Sequence, residues 1–181
     1  WDEAATYASA VINSDLFDLE EDFEAIVKED FTDESIFEVG YTVSDDPGTS
    51  ASQGLNNLFV GRREIIPSNR AAFYLNSDEA GDRSVSIDFD AQLLEGEDNG
   101  WSVAKYGTAD EDNNNIVIFR LAEMYLIRAE ARTELGNLSG DNSAESDINI
   151  LRERANAPTI SVSSADQLRS IIEFERLYEL A

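Results

Sequence analysis

Ile118-Phe119-Arg120-Leu121-Ala122-Glu123-Met124-Tyr125-Leu126-Ile127-Arg128-Ala129-Glu130-Ala131 is the stretch on which the fold turns. Within it Ile118, Leu121, Ala122, Tyr125 and Ala129 recur at three- and four-residue spacing, the stripe of a helix with a buried face. Phe119 and Leu126 widen the stripe, so neighbours are expected on more than one side. The pattern stops at Leu135-Gly136-Asn137, where glycine supplies a left-handed cap. Ala144, Ile148, Leu151 and Ala155 then mark a second helix, stopped by Pro158. Ser164 and Gln167 open a third as a capping box, which buries Leu168, Ile171, Ile172, Phe174 and Tyr178. Small residues at Ala122, Ala129 and Ala144, a Leu-Gly turn and a closing proline give 117–156 the pattern of a tetratricopeptide-type hairpin. Its turn is lengthened by Ser139, Gly140 and Asp141.

Working outward, Ala4, Ala5, Ala8, Val11 and Ile12 predict a helix over 1–13, like the second helix of such a pair. A shorter helix over 22–28 turns Phe23, Ile26 and Val27 inward, and 35–42, with Ile36, Val39 and Tyr41, reads as a strand. Between Gly40 and Gly107 lie eight of the ten glycines and two of the three prolines, among clusters such as Ser44-Asp45-Asp46-Pro47-Gly48. There Val85, Ile87 and Phe89 alternate with Ser86, Asp88 and Asp90 as in a half-buried strand, and 101–106 reads as another. The expected fold is mostly α: helical scaffold at 1–35 and 117–181 around a loop-rich insertion, 36–116, with a few short strands. One and a half helical pairs leave an apolar face uncovered, and a helix starting almost at Trp1 and another ending uncapped at Leu180-Ala181 read as cuts in a longer chain.

Composition narrows the function. The 181 residues carry 38 Asp and Glu against 13 Lys and Arg, a net charge of -25 with no basic patch, which excludes a nucleic-acid partner. The absence of Cys and His removes disulfides, thiolate metal sites, zincins and serine triads. The chain is expected to hold no cofactor and no metal. Only Lys28 and Lys105 are lysines, and acid excess with scarce lysine suits concentrated salt; an ordinary acidic surface on an exported protein is the alternative. No run approaches the ~18 apolar residues needed to cross a bilayer.

Three stretches resemble the SusD/RagB family of outer-membrane nutrient-binding lipoproteins. The first is 118–131 with Leu135-Gly136-Asn137 and Asn149, Arg152, Arg154 and Ala155. The second is Ile171 to Ala181, similar to the family's "I..ER..EL" helix. The third strings together Tyr7-Ala8, Val11-Ile12, Glu34, 36–39, Asp82-Arg83 and Lys105-Tyr106. The resemblance implies a SusD-like α-α superhelix of which this chain is a later part, truncated at both ends. It further implies a surface-exposed outer-membrane lipoprotein whose lipid anchor, its sole membrane attachment, falls outside the chain. Such proteins cap a SusC-like TonB-dependent transporter and capture an oligosaccharide or other nutrient for it. Helical pairs serve the scaffold and variable loops the ligand.

Sugar recognition needs flat apolar faces to stack on pyranose rings and planar amides or guanidinium groups to pair with vicinal hydroxyls. By residue type and region, the candidates are Asn56, Asn57, Phe59, Arg62 and Arg63, then Asn69, Arg70, Phe73 and Tyr74, with Trp101 beyond them. Anchoring of Phe59, Phe73, Tyr74 and Trp101 in the core is the commoner use of such side chains. Asp110, Asp112 and Asn114 open a calcium-loop pattern, but Asn115 replaces its turn glycine and Leu121 its bidentate Glu. Glu20-Glu21-Asp22 and Glu95-Glu97-Asp98 read as solvated turns rather than catalytic pairs, so no catalytic residue is assigned. Arg120, Glu123, Glu130, Glu175 and Arg176 are expected to form salt bridges between helices. The other functional reading is a helical-repeat scaffold that binds a protein partner and has no small-molecule site.

Overall fold

A computed structural model describes residues 1–40, 57–105 and 115–180, apart from the side chains of Val27, Asn57 and Val60. Six α-helices carry the architecture: α1 (Asp2–Ile12), α2 (Phe23–Lys28), α3 (Asn69–Leu75), α4 (Leu121–Glu134), α5 (Ala144–Arg154) and α6 (Ala165–Leu180). Two antiparallel strand pairs complete it, β1 (Ser35–Val39) with β4 (Ile116–Arg120), and β2 (Ile87–Phe89) with β3 (Trp101–Val103). None of the described helices is long and apolar enough to cross a membrane.

The α4–α5 hairpin is the centre of the scaffold, with α1 and α6 packed on α4. Ala122, Ala129 and Ala144 have no exposed surface, and their small side chains bring the helices close enough for Leu126, Ile148, Leu151 and Leu168 to interlock. Each of those larger side chains contributes about 2 kcal/mol by leaving water. The turn after α4 is a Schellman motif: Asn137 N–H donates to Arg132 O at 2.9 Å and Gly136 N–H to Thr133 O at 3.1 Å, with Gly136 at φ +80°. Buried Asp147 then fastens α5 to α4, accepting bonds from Arg128 at 2.7 Å and Arg132 at 2.7 Å. Asn149 secures the segment after Pro158, bonding both the N–H and the carbonyl of Ile160.

Several expectations shift locally. Ile118 and Phe119 belong to β4, not to the helix, and are half exposed. The β-branched run Ile116-Val117-Ile118 favours extended backbone, and β1 offers it a partner, so the helix begins only at Leu121. Val85 falls in a 3-10 helix, Gly81–Ser86, leaving Ile87–Phe89 as the strand. That turn closes tightly because Gly81 sits at φ +59° where any Cβ would collide with the carbonyl of Ala155. The insertion also contains α3, which the glycine-rich context masked; Ser68 caps it by accepting the N–H of Ala71. At α6, Ser164 Oγ accepts from Gln167 N–H as expected, but the Gln167 side chain reaches back to Ser163. Tyr41, 44–48, Tyr106 and Ala181 lie outside the described residues.

Candidate functional site

The residues that carry the family resemblance converge on one buried charge lattice. Glu175 and Glu179 lie one turn apart on α6 and face Arg83 from the 3-10 turn, at 2.7 and 3.2 Å. Arg120, at the end of β4, lies 2.6 Å from Glu179 and 2.7 Å from Glu34, while Arg154 of α5 bonds the other oxygen of Glu34 at 2.8 Å and also reaches Glu179. Arg152 closes the set, bonding Glu175 and the more exposed Glu79. Four guanidinium groups thus meet four carboxylates, leaving no net charge to strand in the interior. Burial alone would raise the Glu179 carboxyl, but Arg120, Arg154 and Arg83 outweigh it and hold the pKa at about 2. Of the salt bridges expected from sequence, Arg120 and Glu175 lie inside this lattice, and Arg176 pairs with Glu130 at 2.8 Å. The lattice ties α5, α6, β4 and the 3-10 turn to one another, and its Arg120 and Glu179 also reach the wall of a neighbouring pocket.

Beside it opens a pocket of about 310 Å³, lined by Phe23, Ile26, Ser86, Lys105, Arg120 and Glu123 among others. Ser86 Oγ is buried there, and among the described residues it has no hydrogen-bond partner. Burial, reinforced by Arg120, pulls the Lys105 ammonium from 10.5 down to about 8, and its Nζ donates to Leu180 O at 3.3 Å.

The insertion presents a different surface. Strands β2 and β3 place Phe89 and Trp101 opposite each other, so their side chains share a face, with ring centroids 5.0 Å apart and planes tilted by 51°. Phe89 remains 46% exposed. With Asn76, Ile87 and Asp88 the pair lines an open cleft of about 420 Å³. Gly100, at φ +78°, turns the chain into β3 where a Cβ would strike the Phe89 ring.

Arg63 holds this hairpin from behind. Its Nε and Nη2 grip Asp98 in a fork at 2.8 and 2.7 Å, Nη2 also donates to Trp101 O at 2.9 Å, and Nη1 donates to Ser102 Oγ. The Arg63 bond, with the Gly100 N–H, holds Asp98 at about pKa 2, so Asp98 is an anchored carboxylate, not the solvated turn residue its sequence context suggested.

The remaining predicted residues divide. Asn69 and Arg70 begin α3, where Asn69 Oδ1 accepts from Asn99 at 3.0 Å and the Arg70 guanidinium lies 5.8 Å from the centroid of the Tyr74 ring. Tyr74 packs on Phe174 at 4.9 Å, an anchoring role, whereas Phe73 is 71% exposed and touches Tyr74 edge-on. Arg62 is exposed and paired with Glu64; Phe59 is half-buried in a short π-helical turn, 57–61. Asn56 and the Asn57 side chain lie outside the described residues, as do Asp110, Asp112 and Asn114. Among the described residues no group of acids is placed to hold a metal ion. Sequence reasoning missed Asn76, Asp88 and Phe89 as cleft residues. Phe89 was legible only as one position of an alternating strand, and nothing local marked its pairing with Trp101.

Residues 99–181 match the sequence model of the SusD family. No curated protein matches the chain. Among solved structures, the surface glycan-binding protein A of Bacteroides uniformis aligns over 98% of this chain and 42% of its own, with 21% identity and a TM-score of 0.74. A laminarin-binding SusD-like protein aligns over 99% and 48%, with 21% identity and a TM-score of 0.73. The surface glycan-binding protein A of Bacteroides thetaiotaomicron in complex with laminarihexaose aligns over 97% and 48%, with 22% identity and a TM-score of 0.66. This chain therefore spans less than half the length of each of these relatives. Residues 99–181 thus carry the sequence pattern of the SusD family, and nearly the whole chain shares the fold of these SusD-like structures.

Proposed function

We propose that the chain contributes to capture of an oligosaccharide at a cell surface, with the Phe89–Trp101 pair as its stacking platform. The observation that carries this reading is a pair of tilted aromatic rings lining an open cleft alongside the amide of Asn76 and the carboxylate of Asp88. Aromatic faces stack on pyranose rings, while amide and carboxylate oxygens accept from sugar hydroxyls. The names of the similar structures, which specify surface glycans, laminarin and laminarihexaose, support the same ligand class.

Capture proceeds without bond cleavage. A glycosidic general acid needs a raised pKa, and Asp98, which braces the platform, is held down at about 2 by Arg63. The helical lattice keeps the insertion in a fixed relation to the scaffold, which docks on a SusC-like TonB-dependent transporter of the outer membrane and delivers the glycan to it. A lipid anchor outside this chain holds the assembly at the surface. Tryptophan emission during titration with laminarihexaose tests the platform: a saturable change that disappears in Trp101→Phe is expected, and an unchanged signal from Trp101 at saturating sugar contradicts it.

A further inference from the structure

The cleft has a charge character as well as a shape. Among the described residues its lining contains one charged side chain, Asp88, and no cation. Asp88 Oδ1 accepts the N–H of Phe89 at 2.8 Å, and among the described residues nothing bonds its Oδ2. The guanidinium that braces the platform, Arg63, has its donors engaged by Asp98, Ser102 and the Trp101 carbonyl, and it lies within the field of Asp90 as well. Three aspartates thus outweigh one arginine around two aromatic faces. An anionic sugar entering here would meet a carboxylate with no cation to answer it, whereas a hydroxyl or an ammonium would find an acceptor and an aromatic ring.

Resting on the capture reading above, we infer that the cleft sorts glycans by charge: it takes neutral and amino-bearing oligosaccharides and rejects those carrying carboxylates, with Asp88 as the discriminating residue. The -25 net charge adds a long-range field of the same sign, which salt separates from the local effect. In molar salt the screening length falls to about 3 Å, so the distant acids drop out while a carboxylate in contact with the ligand still acts.

The test is calorimetric titration at 0.15 M and 1 M salt with laminarihexaose, its C6-carboxylated form and its C6-amino form, which share one backbone. The amino and neutral sugars are expected to bind, with the carboxylated form about tenfold weaker in molar salt and weaker still at 0.15 M, where the distant acids also act. Asp88→Asn, at an exposed position and checked for native helix content, should bring the carboxylated and neutral forms within about threefold of each other in molar salt. Equal binding of carboxylated and neutral sugar by the unaltered protein would overturn the inference while leaving capture standing. Discrimination that survives in Asp88→Asn would overturn the role of Asp88. Absence of binding by all three would overturn the capture reading and this inference together.

Discussion

Arg83 and Glu175 lie 92 positions apart in the chain and 2.7 Å apart in the fold, both with fully buried side chains. A pair closed over that separation joins the insertion directly to α6, so it reports the whole topology. Removing one partner leaves a charge buried without its counter-ion, at a cost of about 3–5 kcal/mol. Arg83→Met should lower stability by that order in urea unfolding. Combining it with Glu175→Met should cost less than the sum of the two single changes, because the stranded charge is removed.

Acid should weaken the same lattice. Glu179 is held at about 2 against an ordinary 4.5, so the folded state binds its proton less readily than the unfolded chain. Its stabilising contribution is present above about pH 4.5 and is lost as pH falls through 2. Urea midpoints measured from pH 6 to 2 should fall in that window, and Glu179→Gln, already destabilised, should fall less steeply.

Lys105 titrates in the opposite sense. Its folded pKa of about 8 lies below the unfolded 10.5, so its burial is unfavourable below pH 8 and becomes neutral as pH rises towards 10.5. The chain has two lysines, so labelled-lysine NMR gives two ε-carbon signals. One of them should move with a midpoint near 8; two midpoints near 10.5 would contradict the assignment.

Arg63 is a positioning residue whose effect should be felt at a distance. Arg63→Lys keeps the charge but loses the fork on Asp98 and the bonds to Trp101 O and Ser102. Laminarihexaose affinity should drop by about tenfold, of the order of one charge-assisted hydrogen bond, with a changed near-ultraviolet signal from Trp101 and unchanged helix content. A loss of affinity without that spectroscopic change would point to direct contact with the sugar instead.

Salt should act on the surface and spare the interior. The exposed acids repel one another in dilute buffer, and screening removes that repulsion, whereas buried ion pairs are shielded far less. The melting temperature should rise between 0.02 M and 1 M salt by a similar amount in the unaltered protein and in Arg83→Met.

The helical scaffold was legible because its signals are local and periodic: the Ala122/Ala129/Ala144 pattern, the Gly136 cap and the stop at Pro158 each act within a few residues. Ile118 and Phe119 misread as helix because their partner, β1, lies some eighty positions away and no periodicity announces it. The same reason hid the lattice. Arg120 and Glu175 were visible as pairing residues, but Arg83, Glu34 and Arg154 join them through long-range closure. In the insertion, residue type located Trp101 and Arg63 but could not tell a stacking face from a brace. That distinction depends on Arg63 reaching Asp98 across thirty-five positions.

The most direct test of the central claim is calorimetric titration with laminarihexaose of the unaltered protein and of Trp101→Ala and Phe89→Ala, each checked for native helix content. If the aromatic pair is the sugar platform, the unaltered protein gives a saturable heat and each variant weakens binding by about tenfold or more, a loss of the ~1–3 kcal/mol that an exposed aromatic contact contributes. Undiminished affinity in both variants would contradict it.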